Sequence, residues 1–259
     1  MTLQLLVAAV QKEPLELAKE MNIGSDAIIV SQGGENGYRE LEYNGHSLRY
    51  FAMADKGVGL NRNTALLHAT ADIILFADED IVYCDDYRDK VLAAFAEHPE
   101  ADMLLFNVQA SEGRETYHTS EYGRVHWYNS GRYPTYSFAV KRRLVHKHNI
   151  TFSLLFGGGA KYSNGEDSLF LRDCLKCGMK VYRIPVLLGK ETARESTWFK
   201  GYNEKFFFDR GVLYHHLYGS LAKVMAVRWL LKHKGELCKE KSVKEAYGIV
   251  CKGIKEAKQ

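Results

Sequence analysis

The sequence predicts an α/β fold: one largely parallel sheet with helices on its faces and a helical stretch toward the C-terminus. Three observations carry this. Apolar runs of strand length alternate with segments of helical spacing through the first half, which is the signature of a parallel sheet covered by helices. One such run, Ile73-Ile74-Leu75-Phe76-Ala77, leads directly into Asp78-Glu79-Asp80. Residues 203–234 read as helix.

The elements follow in chain order. Leu3–Val10 reads as a strand and Pro14–Met21 as a short helix with proline near its start. Asp26–Ser31 is a second strand, closed by the turn signal Gln32-Gly33-Gly34, and Ser47–Met53 is a third. Leu60–Ala69 carries apolar residues at helical spacing, Ile73–Ala77 is the acidic-ended strand, and Tyr87–Glu97 is an amphipathic helix stopped by Pro99. Met103–Val108 returns to strand. This order is the nucleotide-binding pattern, which by itself assigns no chemistry. The second half is less regular. Residues 111–135 are polar and aromatic without a period, as in functional or disordered loops, so their rings either line a groove or complete the core. Tyr136–Val140 reads as a strand ending in the solvated basic run Lys141-Arg142-Arg143. Phe156–Ala160 is a glycine-rich turn, Ser168–Lys176 a helix ended by Gly178, and Val181–Leu187 a strand.

A chain of 259 residues can bury a full core as one large domain. The net charge of +3 is too small to argue for a nucleic-acid partner, but residues 215–259 hold ten Lys/Arg against four Glu. No run approaches the roughly 18 apolar residues of a membrane span, and Met1–Val10 is expected to be a core strand rather than a signal peptide. The five cysteines are scattered, and Cys174-x-x-Cys177 lacks a second pair, so helix packing is expected there. The cytoplasm is the expected compartment.

Three segments carry chemistry. Gly57-Val58-Gly59-Leu60-Asn61-Arg62-Asn63 opens a helix, where glycines admit a ligand, the helix end attracts anions, and Asn61, Arg62 and Asn63 are candidate donors to a nucleotide. Asp78, Glu79 and Asp80 crowd the carboxyl end of a strand, where open α/β sheets bind ligands. Oxygen-only donors there suit Mg²⁺ or Mn²⁺ arriving with a substrate's phosphates. Gly165-Glu166-Asp167 stands at a helix start, where a carboxylate can cap the helix or accept the proton of an attacking hydroxyl. Gly157–Gly159 and Gly165 would let a substrate approach.

In this combination and order the motifs resemble the family 2 glycosyltransferases of GT-A fold, particularly small bacterial ones of capsule, exopolysaccharide or lipopolysaccharide synthesis. The resemblance runs from about Val7 to Tyr218. It is strongest over Gly59–Asn63, Phe76–Tyr83 and Phe156–Pro185, and extends to Ser196-Thr197-Trp198 and Glu204–Phe208. It implies a Rossmann-like nucleotide-sugar half (1–110) and an acceptor half (111–214) around one mixed, mostly parallel sheet, forming a GT-A domain over 1–214, with a basic helical tail at 215–259. Asp78 and Asp80 match the D-x-D that holds a nucleotide-sugar diphosphate through Mn²⁺ or Mg²⁺, and Glu79 lies within it. Arg62 and Asn63 match the donor-side pair. Asp167 matches the catalytic base, with Glu166 orienting the acceptor or the base. The implied reaction is inverting transfer from a nucleotide-diphosphate donor, UDP-linked by expectation, to a glycan or lipid-linked glycan acceptor in cell-surface polysaccharide synthesis. Gly158, Gly159 and Trp127 are expected on the acceptor side.

The chain departs from the family pattern twice. Gln32 stands where an acidic residue usually holds the nucleobase, and is expected to bind the donor by hydrogen-bonding a base edge. Lys190-Glu191-Thr192 occupies a region that often contains a histidine, leaving Lys190 or Arg194 as candidate phosphate contacts. A non-catalytic sugar-binding module on the same fold is the alternative reading. Hydrolases pair carboxylates without a phosphate cradle, and a nucleotidyltransferase would carry a glycine-rich basic loop where Gln11-Lys12-Glu13-Pro14 stands. His215-His216 is expected on a helix surface. The apolar arc Leu217, Leu221, Val224, Met225 and Leu231, with the basic tail, offers a face to an anionic bilayer, which would place the protein at the inner side of the cell membrane.

Overall fold

Leu3–Val10 is apolar at every position except Gln4, and it forms strand β1 in the middle of the sheet, with a parallel neighbour on each side. A strand covered on both faces reads as a continuous apolar run rather than an alternating one. The computed structural model describes residues 1–111, 117–192 and 201–258. After β1 come α1 (Pro14–Glu20), β2 (Asp26–Gln32), β3 (Gly37–Tyr43), β4 (His46–Met53), α2 (Val58–His68), β5 (Ile73–Asp78), β6 (Ile81–Tyr83), α3 (Tyr87–Glu97) and β7 (Met103–Gln109). The second half adds β8 (Gly123–Arg124), β9 (Phe138–Lys141), α4 (Arg142–Lys147), α5 (Glu166–Lys176) and β10 (Val181–Glu191). It closes with α6 (Glu204–Tyr218), α7 (Ala222–Lys232), α8 (Lys234–Leu237) and α9 (Val243–Glu256).

Among the described residues the strands form one mixed sheet in the order β3-β4-β2-β1-β5-β9-β7-β10-β6, with β8 paired to β10. The long strands β1, β2, β4, β5, β7 and β10 run one way, and β3, β6, β8 and β9 run the other. The chain leaves β1 for β2 and β4 on one side and returns through α2 to β5 on the other. The carboxyl ends of β1 and β5 therefore flank the switch point at which such sheets bind ligands.

Alternation along the strands divides the core in two. Ile73, Leu75 and Ala77 of β5 pack with Leu17 of α1 and Val91 and Phe95 of α3. Ile74 and Phe76 face the other way, against Ala65 and Leu66 of α2 and Phe170, Leu171 and Cys174 of α5. A third cluster belongs to the C-terminal helices: Phe207 and Leu213 of α6, Leu230 of α7 and Val250 of α9. There α6 and α9 touch backbone to backbone. A Cβ added to Gly211 would lie 2.1 Å from the Val250 carbonyl oxygen, and one added to Gly253 2.1 Å from that of Phe208.

Several expectations are revised. Strand β3 is absent from the sequence reading, yet it forms a hairpin with β4 around Asn44 and Gly45, both at positive φ (50° and 78°). The basic run at 141–143 does not end in a solvated strand. Arg142 opens helix α4, and its Nε donates to the Ala71 carbonyl at 2.7 Å. Strand β10 continues to Glu191, past a register shift between Arg183 and Leu187 that accommodates Pro185. A division at 214/215 falls inside α6. Cys174 is buried and Cys177 exposed, both as free thiols. Among the described residues no helix is long and apolar enough to cross a membrane.

Candidate active site

Asp78 ends β5 two residues after Phe76, so the strand's alternation turns it toward α2 and α5. Arg62 lies one turn into α2 and is only 5% exposed. Its Nη2 donates to Asp78 Oδ1 at 2.7 Å, and its Nη1 donates to Glu166 Oε1 at 2.8 Å. Three separate segments thus meet on one guanidinium: the helix after the Gly57 loop, the acidic strand end 16 residues on, and the start of α5, 104 residues from Arg62. Burial alone would lower the pKa of Arg62, but the two carboxylates outweigh it and the net shift is upward. The planar fork suits this task because it can address two carboxylates at once from a fixed position. The ring of Phe152 lies 5.4 Å from the guanidinium carbon.

Helix α5 begins at Glu166 behind Gly165, whose φ of +116° is open to glycine and strained for other residues. A Cβ at Gly165 would also sit 2.5 Å from Leu213, so the missing side chain lets α5 start against α6. Asp167, next in line, is partly buried, and its Oδ1 accepts from the Ser168 amide at 2.6 Å. Burial, followed by the charge of Glu166, pushes its pKa up to about 6, against the opposing pull of the Ser168 amide and Arg62. A carboxylate poised near neutrality is suited to accept a proton. Asp167 opens onto a cavity of about 360 Å³ shared with Tyr117, Arg132, Tyr133, Asn164 and Arg210. That volume falls within the roughly 300–1,000 Å³ of small-molecule clefts.

The remaining predicted residues divide between site and scaffold. Glu79 turns back to the switch point, where its Oε2 accepts from the Val10 amide at 2.9 Å. The carbonyl of Asp80 accepts from the Thr192 amide at 2.7 Å, fixing the acidic turn to the end of β10. Buried Glu191 of β10 accepts from the Ser111 amide at 3.3 Å, and Lys190 is exposed. Gln32 is buried and its Oε1 accepts from the Gly57 amide at 2.5 Å, so it shapes the glycine loop. Asn61 is buried too, its Nδ2 donating to the carbonyls of Ala9 (3.2 Å) and Val30 (3.3 Å), which ties β1 to β2. Asn63 exchanges two hydrogen bonds with the backbone of Phe152, at 2.9 and 2.7 Å. These two asparagines face the protein's own main chain, where the sequence suggested a nucleotide. The Gly158 carbonyl accepts from the Val58 amide at 3.0 Å, and Gly159 lies beside Gly57, so the glycine-rich turn closes on the α2 loop. Trp127 is 44% exposed and does not line the Asp167 cavity, whereas Tyr117 and Tyr133 of the same segment do. His216 sits at the surface of α6, with the ring of Phe156 5.7 Å away edge-on. Arg194 and Ser196-Thr197-Trp198 lie outside the described residues.

The oxygen donors of Asp78 and Asp80 fit a hard divalent cation, and Arg62 engages Oδ1 of Asp78. Among the described residues no preformed group of three metal-binding side chains exists. Such an ion would draw the rest of its shell from phosphates and water, as Mg²⁺ commonly does.

A family model described as Glycosyl transferase family 2 matches residues 28–156, half of the chain. The chain belongs to this family. The matched span holds the α2 loop, Arg62 and the Asp78–Asp80 turn, and stops before α5. Among solved structures the fold is similar to S. aureus TarS 1–349 in complex with UDP-GlcNAc (TM-score 0.64, 16% identity, 91% of this chain and 73% of that one). It is also similar to TarS 1–349 alone (0.63, 15%, 99% and 82%). The mannosyltransferase PcManGT from Pyrobaculum calidifontis, in complex with GDP-Man and Mn²⁺, gives 0.52 at 14% identity over 99% of this chain and 75% of that one. At these identities the likeness establishes the GT-A fold of this family 2 glycosyltransferase. No curated protein sequence matched the chain.

Proposed function

We propose that this transferase moves a hexosyl or N-acetylhexosaminyl group, with inversion, from a UDP-linked donor to a glycan or lipid-linked glycan acceptor in cell-surface polysaccharide synthesis. The observation that carries the reading is the Arg62 fork, which holds the donor-side carboxylate Asp78 and the acceptor-side Glu166 on one buried group. Asp78 and Asp80 hold the donor's diphosphate together with Mn²⁺ or Mg²⁺. When bound, that ion would offset charge developing on the departing diphosphate. Asp167 accepts the proton of the acceptor hydroxyl as its oxygen bonds to the anomeric carbon, and the electron pair of the breaking C–O bond leaves with the nucleoside diphosphate. Glu166 raises the basicity of Asp167 through its charge and is itself held in place by Arg62. The nucleotide-sugar half spans 1–110, the acceptor half begins at 111, and helices α6 to α9 form the helical end.

We further infer a membrane-facing role for that end, which would put the protein at the inner face of the cell membrane. Of the expected arc, Leu217 is buried and Met225 packs on the helical core, whereas Leu221, Val224 and Leu231, joined by Val227, are 49, 65, 56 and 39% exposed, spaced three or four residues apart and beside Lys223, Arg228 and Lys232. A stripe of that kind suits an anionic interface. Flotation with anionic and neutral liposomes tests it, and equal recovery in both soluble fractions rejects it.

The activity is tested by a panel of UDP-, GDP- and other nucleotide sugars, scored for released nucleoside diphosphate with Mn²⁺ or with EDTA. Release confined to a UDP-sugar, abolished by EDTA and impaired in Asp80→Asn through weaker donor binding, is the expected result. Metal-dependent binding without turnover of any donor, across an acceptor panel, would point instead to a non-catalytic binding module.

A further inference from the structure

The cavity at Asp167 is electropositive in a way the transfer reaction itself does not require. Arg132 comes from the aromatic segment between β8 and β9, and Arg210 from the middle of α6; both line the cavity together with Asp167. Among the described residues neither forms an ion pair with a carboxylate. Arg132 lies over Tyr117, its guanidinium carbon 4.4 Å from the ring centroid, and its Nε donates to the Asn129 carbonyl at 3.1 Å. Arg210 is backed by Phe206 at 5.5 Å and Trp229 at 5.1 Å, and its Nε is buried without a hydrogen-bond partner. Aromatic shelves of this kind fix the guanidinium planes while leaving their outer edges unused. Two cations against the single anion of Asp167 leave the cavity with a net positive charge. The donor-side carboxylates Asp78 and Asp80 do not line it.

We propose that the acceptor carries an oxyanion, a phosphate or a carboxylate, next to the hydroxyl that Asp167 deprotonates, and that Arg132 and Arg210 bind it. A neutral glycan would leave both guanidinium groups facing uncharged surface, whereas an oxyanion meets each with charge-assisted hydrogen bonds. The inference rests on the proposed transferase reading, because it takes the Asp167 cavity as the acceptor side.

Ligand-observed NMR with four probes separates the possibilities: methyl β-glucoside, methyl β-glucuronide, the 6-phosphate of methyl β-glucoside, and glycerol 3-phosphate. Each is titrated into full-length protein holding UDP and Mn²⁺. One or more of the charged probes should bind at least about tenfold tighter than the neutral glucoside, as one good charge-assisted contact allows. Comparing the glucuronide with the 6-phosphate tells carboxylate from phosphate. Arg210→Gln and the exposed Arg132→Gln should each remove the preference, Arg210→Lys should keep part of it, and UDP affinity should stay within about threefold in all of them. Equal binding of charged and neutral probes overturns the proposal, as does a loss of UDP affinity in the arginine variants, which would assign them to the donor. Failure of the wild type to bind UDP with Mn²⁺ would instead count against the transferase reading beneath it.

Discussion

Replacing Asp167 by asparagine should make the protein more stable while disabling it. The folded state raises this carboxyl from the ordinary 3.8 to about 6, burial being the largest cause and Glu166 the next. With the folded value above the unfolded one, the folded protein holds the proton more tightly between those two pH values. Stability from this group therefore falls as pH rises through that window, and the penalty is complete above about 6. A shift of about two units corresponds to roughly 3 kcal/mol, and screening by water at the cavity mouth brings the expectation to about 1–3 kcal/mol. Asparagine carries no such charge and its Oδ1 can still accept from the Ser168 amide. At about 2–4 °C per kcal/mol for a chain of this size, Asp167→Asn should raise Tm by roughly 2–12 °C at pH 8. About half of the gain should remain at pH 5 and little at pH 4. Thermal and urea denaturation of both proteins across pH 4–8 would measure it. A variant less stable at every pH, or a gain that does not change with pH, would refute the assignment of a strained carboxylate at this position.

Other consequences follow from the same geometry. Arg62→Ala leaves Asp78 and Glu166 without their shared cation and should destabilise the fold by about 3–5 kcal/mol in urea titrations; unchanged stability would mean the fork is incidental. Arg62→Lys should recover little of this, since an ammonium on a flexible stem does not reproduce the two-carboxylate fork. For the pH dependence, kcat/KM should fall about tenfold per unit below about pH 6 as Asp167 takes up a proton, and level off above; a flat profile from pH 5 to 8 would contradict it. Gly253→Ala puts a Cβ 2.1 Å from the Phe208 carbonyl and should cost about 1–3 kcal/mol by separating α9 from α6, read as a lower Tm.

Most of the sheet was legible because its strands are long and buried on both faces: β1, β2 and β5 read as apolar runs, and the acidic end of β5 announced itself. Strand β3 was missed because Gly37–Tyr43 is polar and mostly exposed, although Asn44-Gly45 is a recognised hairpin turn pair. Helix α4 was hidden because a basic triplet after a strand reads equally as a solvated end or a helix start. The two acidic segments could be named from sequence, but the group joining them could not. Arg62, Asn61 and Asn63 are indistinguishable as polar residues near a glycine loop until the fold turns one toward carboxylates and two toward main chain. That Arg132 and Arg210 line the Asp167 cavity was not legible for a similar reason: one lies in an aperiodic loop and the other in a helix outside the motifs, and only packing brings both to Asp167.

In the proposed mechanism Asp167 removes the acceptor's proton without holding the donor. Two assays on the same preparations of wild type and Asp167→Asn separate the two roles: transfer in a single turnover, and UDP affinity with Mn²⁺. Transfer should fall by at least about a hundredfold, the range of a lost general base, with UDP affinity within about threefold. Transfer at the wild-type rate, or donor binding lost in parallel with transfer, would contradict it.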